Sequence, residues 1–313
     1  MALLPMPASR DEWLALRRSR VGASEVAALW GVQPDYGLSH YALWCVKAGL
    51  SSAPDISSNR TRWGLKLEEV VAIAAAEERG WTINRGRYAV CDACPGLSAS
   101  LDFEIERDPL GEHEGPGVLE TKNVDWLAHR RSWTDGEPPL HILLQLQAQL
   151  AATGWTWGAV AALVGGNDLR IYQYQAKPKL IAEIKARVAA FWQSVADGQR
   201  PPVDGSDSAA HVLREMYADR LDDEADMSAN NEWPEAVADF LHRAVAKKEA
   251  EKAYSTARNR LAAIMGNHTR ARGAGFAVSA VITPDNPGRP AEPGEIIGKR
   301  AGSIRYNAKE VAA

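Results

Sequence analysis

The spacing of apolar residues predicts several amphipathic helices in the first two thirds of the chain. Across residues 61–80, Leu67, Val70, Val71 and Ala74 recur at the interval that places them on one face of a helix. We expect this face to pack against the core. Further helices are predicted at 24–30, 40–49, 137–153 and 178–197.

Between these helices the pattern changes to short segments rich in strand-forming residues. The sequences RYAVCD (87–92), LSASLDFEIE (97–106) and GVLETKN (117–123) are separated by turn-forming residues, so each is predicted to be one strand. The segments 157–165 and 169–175 flank a turn and are predicted to form a hairpin. This order of elements is typical of an α/β protein with a central mixed sheet flanked by helices.

A polar segment at 197–208, with glycines and prolines, is the predicted domain boundary. We therefore divide the chain into a core at 1–200 and a C-terminal extension at 201–313. The extension is predicted to contain a short helix near 209–220, a long charged helix at about 233–265 and a short β tail.

Composition narrows the class of protein. The net charge of -4 over 313 residues excludes a chain that coats nucleic acid through bulk charge, although a local basic cleft stays compatible with it. No apolar run approaches the roughly 20 residues of a membrane span, and the N-terminus lacks the basic start of a signal peptide. Three cysteines, Cys45, Cys91 and Cys94, are too few for an iron–sulfur cluster and favour a reducing compartment, so a cytoplasmic protein is expected.

The candidate chemistry begins with the sequence LETK. Because side chains alternate along a strand, Glu120 and Lys122 share one face while Thr121 lies on the other. Taken alone, this pair is most simply a surface ion pair. However, Asp102 lies upstream in SASLDFEI, and a short loop can return the chain so that Asp102 and Glu120 converge. Two converging carboxylates select a hard cation such as Mg²⁺ or Mn²⁺, and a nearby ammonium can stabilise charge on a phosphate, which is the chemistry of phosphodiester hydrolysis.

Two predicted helices offer further polar side chains. Glu68 lies on helix 61–80, where it can reach over the sheet or remain an exposed charge. Gln145 and Gln149 are four residues apart on helix 137–153 and therefore share a face, from which they can bind the lysine or simply be solvated.

Five motifs in order, RVGASEVAALWGV, RWGLKLEEVV, SASLDF, LETK and LLQLQAQLAATG, resemble the YqaJ-type viral recombinase family, to which phage lambda exonuclease belongs. The resemblance covers about residues 13–200. It implies a restriction-endonuclease-like core, the PD-(D/E)XK fold. Two positions depart from this pattern, because Leu101 replaces a proline common in the wider superfamily and Gln149 replaces a tyrosine of some relatives.

The resemblance also implies a role for each matching residue. Asp102, Glu120 and the backbone carbonyl of Thr121 would bind metal, with Glu68 as a further ligand through water. Lys122 would position or polarise the attacking water. The glutamine of the downstream helix matches Gln145, and the residues that grip a 5′-terminal phosphate match Arg20 and Ser24.

The phosphate assignment also has a physical basis in the sequence. Ser24 is the predicted N-cap of helix 24–30, where free amides favour an anion, and Arg20 offers a bidentate fork for phosphate.

The function that follows is a Mg²⁺-dependent 5′-to-3′ exonuclease with two ions per site, which Mn²⁺ can replace. It would digest one strand of linear double-stranded DNA and leave 3′ overhangs for phage-type recombination. The resemblance further implies a single-strand annealing protein as partner, a homotrimer, and a phage or prophage origin in a bacterial cytoplasm. Two alternatives remain open: a structure-specific or CRISPR-associated type of nuclease of the same fold, and a non-catalytic DNA-binding scaffold.

Overall fold

The computed structural model describes residues 2–54, 59–133, 136–219, 223–283 and 303–310. The chain divides into two units, Met1–Leu221 and Asp222–Ala313. This division falls later than the boundary predicted at residue 200. Helix α7 (Asp207–Met216) therefore belongs to the first unit, where the backbone amide of Ser39 donates to Ser208 Oγ at 2.9 Å.

The first unit contains nine strands and seven α-helices within its described residues. The strands are β1 (Ala2–Leu4), β2 (Val21–Gly22), β3 (Thr82–Arg85), β4 (Tyr88–Val90), β5 (Leu97–Ser100), β6 (Phe103–Arg107), β7 (Gly117–Val124), β8 (Trp157–Val164) and β9 (Asp168–Gln175). The helices are α1 (Arg10–Arg18), α2 (His40–Lys47), α3 (Asn59–Arg79), α4 (Trp126–Ser132), α5 (Leu140–Thr153), α6 (Pro178–Ala196) and α7, together with a 3-10 helix (Ala23–Trp30).

A five-stranded mixed sheet forms the centre of this unit, in the order β3-β6-β7-β8-β9. Strands β7 and β8 are parallel, and every other neighbouring pair is antiparallel. The parallel pair requires a crossover, which α4 and α5 provide, while β8 and β9 form the predicted hairpin. Helices α3 and α5 both pack against β7 and β8. The predicted α/β class, with a mixed sheet flanked by helices, is confirmed.

A second sheet, with four strands in the order β1-β4-β5-β2, was not predicted. It corrects the prediction of one continuous strand at 97–106. The segment forms β5 in this sheet and β6 in the five-stranded sheet, with Leu101 and Asp102 at the junction. The metal-ligand candidate Asp102 therefore lies where the chain passes from one sheet to the other.

Gly86 fixes this junction by close backbone approach. Its amide donates to the carbonyl oxygen of Asp102 at 3.0 Å, and the amide of Leu101 donates to the carbonyl oxygen of Arg87 at 3.1 Å. A Cβ atom at position 86 would lie 2.0 Å from the carbonyl oxygen of Leu101, a separation that the backbone cannot accept. Only glycine allows both hydrogen bonds at this spacing.

Replacing Gly86 with Ala is expected to lower the free energy of unfolding by about 3 kcal/mol, because the backbone that carries Asp102 must move. Chemical denaturation checks this. Gly64→Ala is the control, since a Cβ at Gly64 meets no atom within 4 Å in the middle of α3 and alanine favours a helix. Equal stability of the Gly86→Ala variant and the wild type would contradict the role of Gly86.

Two helices differ in detail from their predictions. In α3 the predicted apolar face is partly wrong, because Val70 is 58% exposed. The face in contact with the sheet is instead formed by small residues, which allow close approach: Val71, Ala72, Ala75 and Ala76. The helix predicted at 24–30 is a 3-10 helix whose N-cap is Gly22, so the prediction of Ser24 as N-cap is wrong.

The second unit contains the long helix α8 (Trp233–Met265), as predicted. Its side chains are mostly exposed. The β tail consists of β10 (Arg270–Gly273), β11 (Phe276–Thr283) and β12 (Ser303–Glu310), which form an antiparallel sheet in that order. Within the described residues, no helix has both the length and the apolar composition needed to cross a membrane.

Candidate active site

Three side chains from β7 and the β5–β6 junction define the carboxylate site: Asp102, Glu120 and Lys122. The backbone amide of Thr121 donates to Asp102 Oδ2 at 2.8 Å, and Thr121 Oγ1 donates to the same oxygen at 3.0 Å. Asp102 is thus tied to the residue between Glu120 and Lys122. The structure brings the two predicted metal-ligand carboxylates to neighbouring strands.

Glu120 is held by donors on both of its carboxylate oxygens and is only 1% exposed. Gln145 Nε2 donates to Oε1 at 2.6 Å, and Lys122 Nζ donates to the same oxygen. Gln149 Nε2 donates to Oε2 at 2.5 Å. Helix α5 therefore fixes the orientation of Glu120 from above the strand, as the shared face of the two glutamines allows.

The carboxylate site concentrates negative charge where water is largely excluded. Burial raises the pKa of Asp102 to about 8, and the charge of Glu120 adds to this effect. Burial also raises the pKa of Glu68 on α3, again with a contribution from the charge of Glu120. These carboxyl groups therefore resist ionisation together in the absence of a cation.

Lys122 remains a cation in this environment. Burial alone would lower the pKa of its amine, but the charges of Glu120 and Asp102 outweigh burial and raise the pKa. Its side chain is 28% exposed, so the ammonium is accessible from one side. A permanently charged amine does not act as a base at neutral pH, but it can orient a nucleophile or stabilise a negatively charged transition state.

The residues present fit a hard divalent cation. Thr121 directs its amide toward Asp102. The amide and carbonyl of one strand residue point to the same edge of the strand, so the Thr121 carbonyl lies on the edge of β7 that carries this contact. The β6–β7 pairing ends at Leu119, so no ladder partner from β6 occupies this edge. Carboxylate and carbonyl oxygens are the ligands that Mg²⁺ and Mn²⁺ prefer. A cation would offset the burial and the repulsion from Glu120 that raise the pKa of Asp102.

Glu68 lies at longer range than the other two carboxylates. It is partly buried on α3 and senses the charges of Glu120 and Lys122, but no hydrogen bond joins it to either among the described residues. This placement is compatible with the predicted contact through water. Its neighbour Glu69 is exposed and pairs with Arg85 at 2.8 Å.

Sequence reasoning left open whether Gln149 binds the lysine or is solvated, and it did not place Tyr36 or His141 in the site. The structure shows that Gln149 binds Glu120 instead of the lysine. Tyr36 contributes to the raised pKa of Lys122, and the charge of Lys122 adds to burial in lowering the pKa of His141. Tyr36 and His141 come close through tertiary structure, and no local pattern in the sequence signals it.

Replacing Gln149 with Leu is expected to reduce cleavage about tenfold and to lower the unfolding free energy by about 1 to 3 kcal/mol, because one oxygen of buried Glu120 loses its donor. Gln147→Leu is the matched control on the same helix. The Gln147 side chain makes two hydrogen bonds, with Gln175 O and Lys177 N, and neither reaches Glu120. Steady-state cleavage and denaturation should show that only Gln149→Leu loses activity beyond its loss of stability. Equal activity of the two variants would contradict this role.

The two predicted phosphate contacts lie near the start of the 3-10 helix. Ser24 Oγ accepts a hydrogen bond from Arg17 Nη2 at 3.4 Å. Arg20 Nη1 donates to Leu16 O at 3.3 Å and Ser19 Oγ at 3.5 Å, whereas its buried Nε has no acceptor in the described part of the chain. Among the described residues no carboxylate forms an ion pair with Arg20, so its charge is available to an anion.

A partly buried ion-pair network holds this segment in place. Glu25 binds Arg17 Nη2 at 2.7 Å and Lys47 Nζ at 2.9 Å, and it accepts from the amide of Gly22 at 2.7 Å. Burial would raise the pKa of Glu25, but the charges of Arg17 and Lys47 outweigh it and lower the pKa. Arg17 is thereby neutralised, in contrast to Arg20.

The second sheet links this segment to the carboxylate site. Strand β2 is parallel to β5, with Gly22 opposite Ser98. At about 3.3 Å per residue, Ser98 lies roughly 13 Å along the chain before Asp102. The start of the 3-10 helix is therefore linked to Asp102 by a single short stretch of chain.

Comparison with known proteins supports the resemblance to the YqaJ-type family. Residues 12–156 match the model of the YqaJ-like viral recombinase domain. This segment is similar to that family. All the candidate residues described above fall within the YqaJ-like segment. The chain is also 28% identical over 227 residues to the uncharacterized protein YqaJ of Bacillus subtilis (strain 168), a match that covers 71% of this chain and 68% of that protein.

Two solved structures are also similar to this chain. The alkaline exonuclease LHK-Exo from Laribacter hongkongensis is 20% identical, with a TM-score of 0.49, and the match covers 66% of this chain and 98% of that one. A phage-related exonuclease from Haemophilus somnus 129PT is 14% identical, with a TM-score of 0.37, and the match covers 61% of this chain and 88% of that one.

Proposed function

We propose that this protein is a Mg²⁺-dependent 5′-to-3′ exonuclease that digests one strand of linear double-stranded DNA and leaves 3′ overhangs. The observation that carries the proposal is the carboxylate site, where Asp102 and Glu120 meet beside the cationic Lys122. The carboxylate site lies within the segment that matches the YqaJ-like viral recombinase domain, and this match supports a recombination nuclease. The relatives named as exonucleases are compatible with it.

The residues of the chain divide the work of hydrolysis. Asp102, Glu120 and the carbonyl of Thr121 would hold two Mg²⁺ ions, with Glu68 acting through water. The ions supply Lewis-acid activation of water and of the scissile phosphate. Lys122 orients the attacking water with its accessible ammonium, and Gln145 accepts from Lys122 Nζ at 3.3 Å, which restricts the lysine to one direction.

Arg20 and Ser24 would set the polarity of digestion by binding the 5′-terminal phosphate. Arg20 carries a charge without a carboxylate partner among the described residues, and its buried Nε lacks an acceptor there. A phosphate oxygen satisfies both conditions. Binding of one strand end at this position directs cleavage toward that strand.

The anchoring role can be separated from general charge effects. We expect Arg20→Ala to slow digestion of a 5′-phosphorylated duplex about tenfold or more, and to leave digestion of a 5′-hydroxyl duplex unchanged, because the contact is then already lost. Arg18→Ala is the control, since Arg18 is an exposed neighbour of the same charge. Additive effects of the substitution and of phosphate removal would contradict direct contact.

Timed digestion of end-labelled duplex DNA tests the function itself. With Mg²⁺, a 5′ label should be released as mononucleotide before a 3′ label, and chelation should stop the reaction. Cleavage of nicked, flap or closed circular DNA at rates similar to linear duplex would favour a structure-specific nuclease instead. DNA binding without cleavage in any divalent metal would favour a scaffold.

The wider setting is part of the same proposal. The 3′ overhangs would pass to a single-strand annealing protein, and the enzyme would act as a homotrimer in a bacterial cytoplasm as part of a phage or prophage. Sedimentation analysis of the free protein and of mixtures with such a partner tests both associations.

A further inference from the structure

A second group of metal-ligand side chains lies in the loop between β6 and β7. Asp108, Glu112 and His113 each offer one ligand atom, and these atoms all lie within 4.8 Å of one another. We call this group the loop site. Asp108 directly follows β6, whereas Asp102 directly precedes it. At about 3.3 Å per residue, the length of β6 separates them by roughly 20 Å, so the loop site is distinct from the carboxylate site.

Asp108 has one buried side-chain oxygen without a hydrogen-bond partner among the described residues. The residue is 8% exposed, and its Oδ1 accepts a hydrogen bond from the amide of Leu110 at 3.2 Å. Its Oδ2 is buried and has no hydrogen-bond partner in the described part of the chain. A buried carboxylate oxygen without a donor is costly unless a cation compensates it. The unpaired Oδ2 atom therefore indicates that the loop site binds a cation.

His113 is oriented as a metal ligand would be. Its ring stacks on Trp157 with centroids 4.2 Å apart, which fixes the plane of the imidazole. Nε2 lies 3.0 Å from Gln173 Oε1, and Nδ1 lies 2.8 Å from Gln175 Nε2. In this network Nε2 carries the proton and donates it to Gln173, while the lone pair of Nδ1 accepts from the side-chain amide of Gln175. Gln175 is exposed, so a cation can displace its amide from Nδ1. When a histidine binds a metal through one ring nitrogen, the other ring nitrogen usually donates a hydrogen bond to an oxygen, as Nε2 does here.

We propose that the loop site binds one divalent transition-metal ion, with Zn²⁺ as the favoured ion. One imidazole and two carboxylates suit Zn²⁺, whereas Mg²⁺ prefers oxygen ligands alone. Zinc bonds of about 2.1 Å place ligand atoms about 3.4 Å apart. The exposed side chain of Glu112 can move to meet this spacing. Three protein ligands leave a fourth position for water.

The bound ion would stabilise the loop that joins β6 to β7. All three ligands come from this loop, and the stacking of His113 on Trp157 connects it to β8. This loop closes one end of the β6–β7 hairpin, and Asp102 and Glu120 lie at the other end. The proposal concerns zinc binding and stability, and it stands whether or not the chain is a nuclease.

Equilibrium dialysis of the full chain against ZnCl₂, in a buffer with excess MgCl₂, tests the loop site. We expect the wild type to bind one zinc ion. The affinity of the His113→Gln variant for zinc should be at least tenfold lower. The partly exposed His113 tolerates this change, and Asp108→Asn provides a second variant with the shape of the carboxylate preserved. Zinc should raise the melting temperature of the wild type and not that of His113→Gln.

Two controls assign the ion to its site. His242→Gln removes an exposed histidine on α8 and should leave zinc binding unchanged. Glu120→Gln disables the carboxylate site and should also retain the zinc ion. The proposal is overturned if the wild type binds no zinc under these conditions, if His113→Gln binds it as tightly as the wild type, or if Glu120→Gln is the variant that loses it.

Discussion

Lys122→Ala is expected to reduce DNA cleavage about 100- to 1000-fold while leaving the fold intact. The ammonium is the accessible cation of the carboxylate site, and loss of one preorganised donor at a charged transition state has an effect of this size. The variant should still fold, because Gln145 and Gln149 continue to donate to Glu120. Single-turnover cleavage and circular dichroism check the two parts.

The control for this substitution is Lys248→Ala on α8, where the lysine is exposed. DNA affinity should be nearly the same in the wild type and both alanine variants, because Lys122 is assigned to the chemical step. A Lys122→Ala enzyme with wild-type cleavage rates would show that the lysine is only a partner for Glu120.

Asp102→Asn is expected to abolish detectable cleavage and, at the same time, to stabilise the metal-free protein. The amide preserves an oxygen acceptor for the Thr121 amide and hydroxyl, so the junction between the sheets keeps its geometry. It removes a charge that burial and Glu120 both disfavour. A residue that is poor for stability and necessary for metal binding is typical of an active site.

The stabilisation should depend on pH in a definite direction. The pKa of Asp102 is raised from the ordinary value of 3.8 to about 8 in the folded protein. Stability from the protonated form is complete below pH 4 and is lost as pH rises toward 8 and above, since the unfolded chain ionises more easily. The Asp102→Asn variant does not lose stability in this way, because its amide does not ionise. Its advantage over the wild type should grow across this window to the order of a few kcal/mol.

Denaturation curves without metal between pH 4 and pH 9 measure this difference. Asp125→Asn serves as a control, because Asp125 lies outside the carboxylate site and caps α4 through the amides of Leu127 and Ala128. A wild type whose stability rises from pH 5 to pH 8 relative to Asp102→Asn would contradict a buried, repelled carboxyl group. Addition of Mn²⁺ should stabilise the wild type and not Asp102→Asn.

The components of the carboxylate site were predictable because they depend on local geometry. Strand alternation places Glu120 and Lys122 on one face, and the four-residue spacing of Gln145 and Gln149 places both amides on one face of α5. What the spacing does not reveal is the target of each amide. That target depends on how α5 lies over β7, which is a property of tertiary packing.

The division of the 97–106 segment could not be predicted from its own residues. Strand-forming residues lie on both sides of Asp102 in the segment Leu97–Ile105 and predict one continuous strand, whereas the break at Leu101 depends on Gly86, which lies outside the segment. The N-cap at the 3-10 helix was missed for a similar reason. Glu25 reaches back to the amide of Gly22 because Arg17 and Lys47 hold its carboxylate there, and the Ser24 pattern gives no sign of this.

Anomalous diffraction from crystals grown with MnCl₂ tests the central claim most directly. The account predicts at least one Mn²⁺ peak at bonding distance from both Asp102 and Glu120, next to the carbonyl of Thr121, and no such peak in Asp102→Asn crystals. A well-ordered carboxylate site without a Mn²⁺ peak at saturating metal would contradict it.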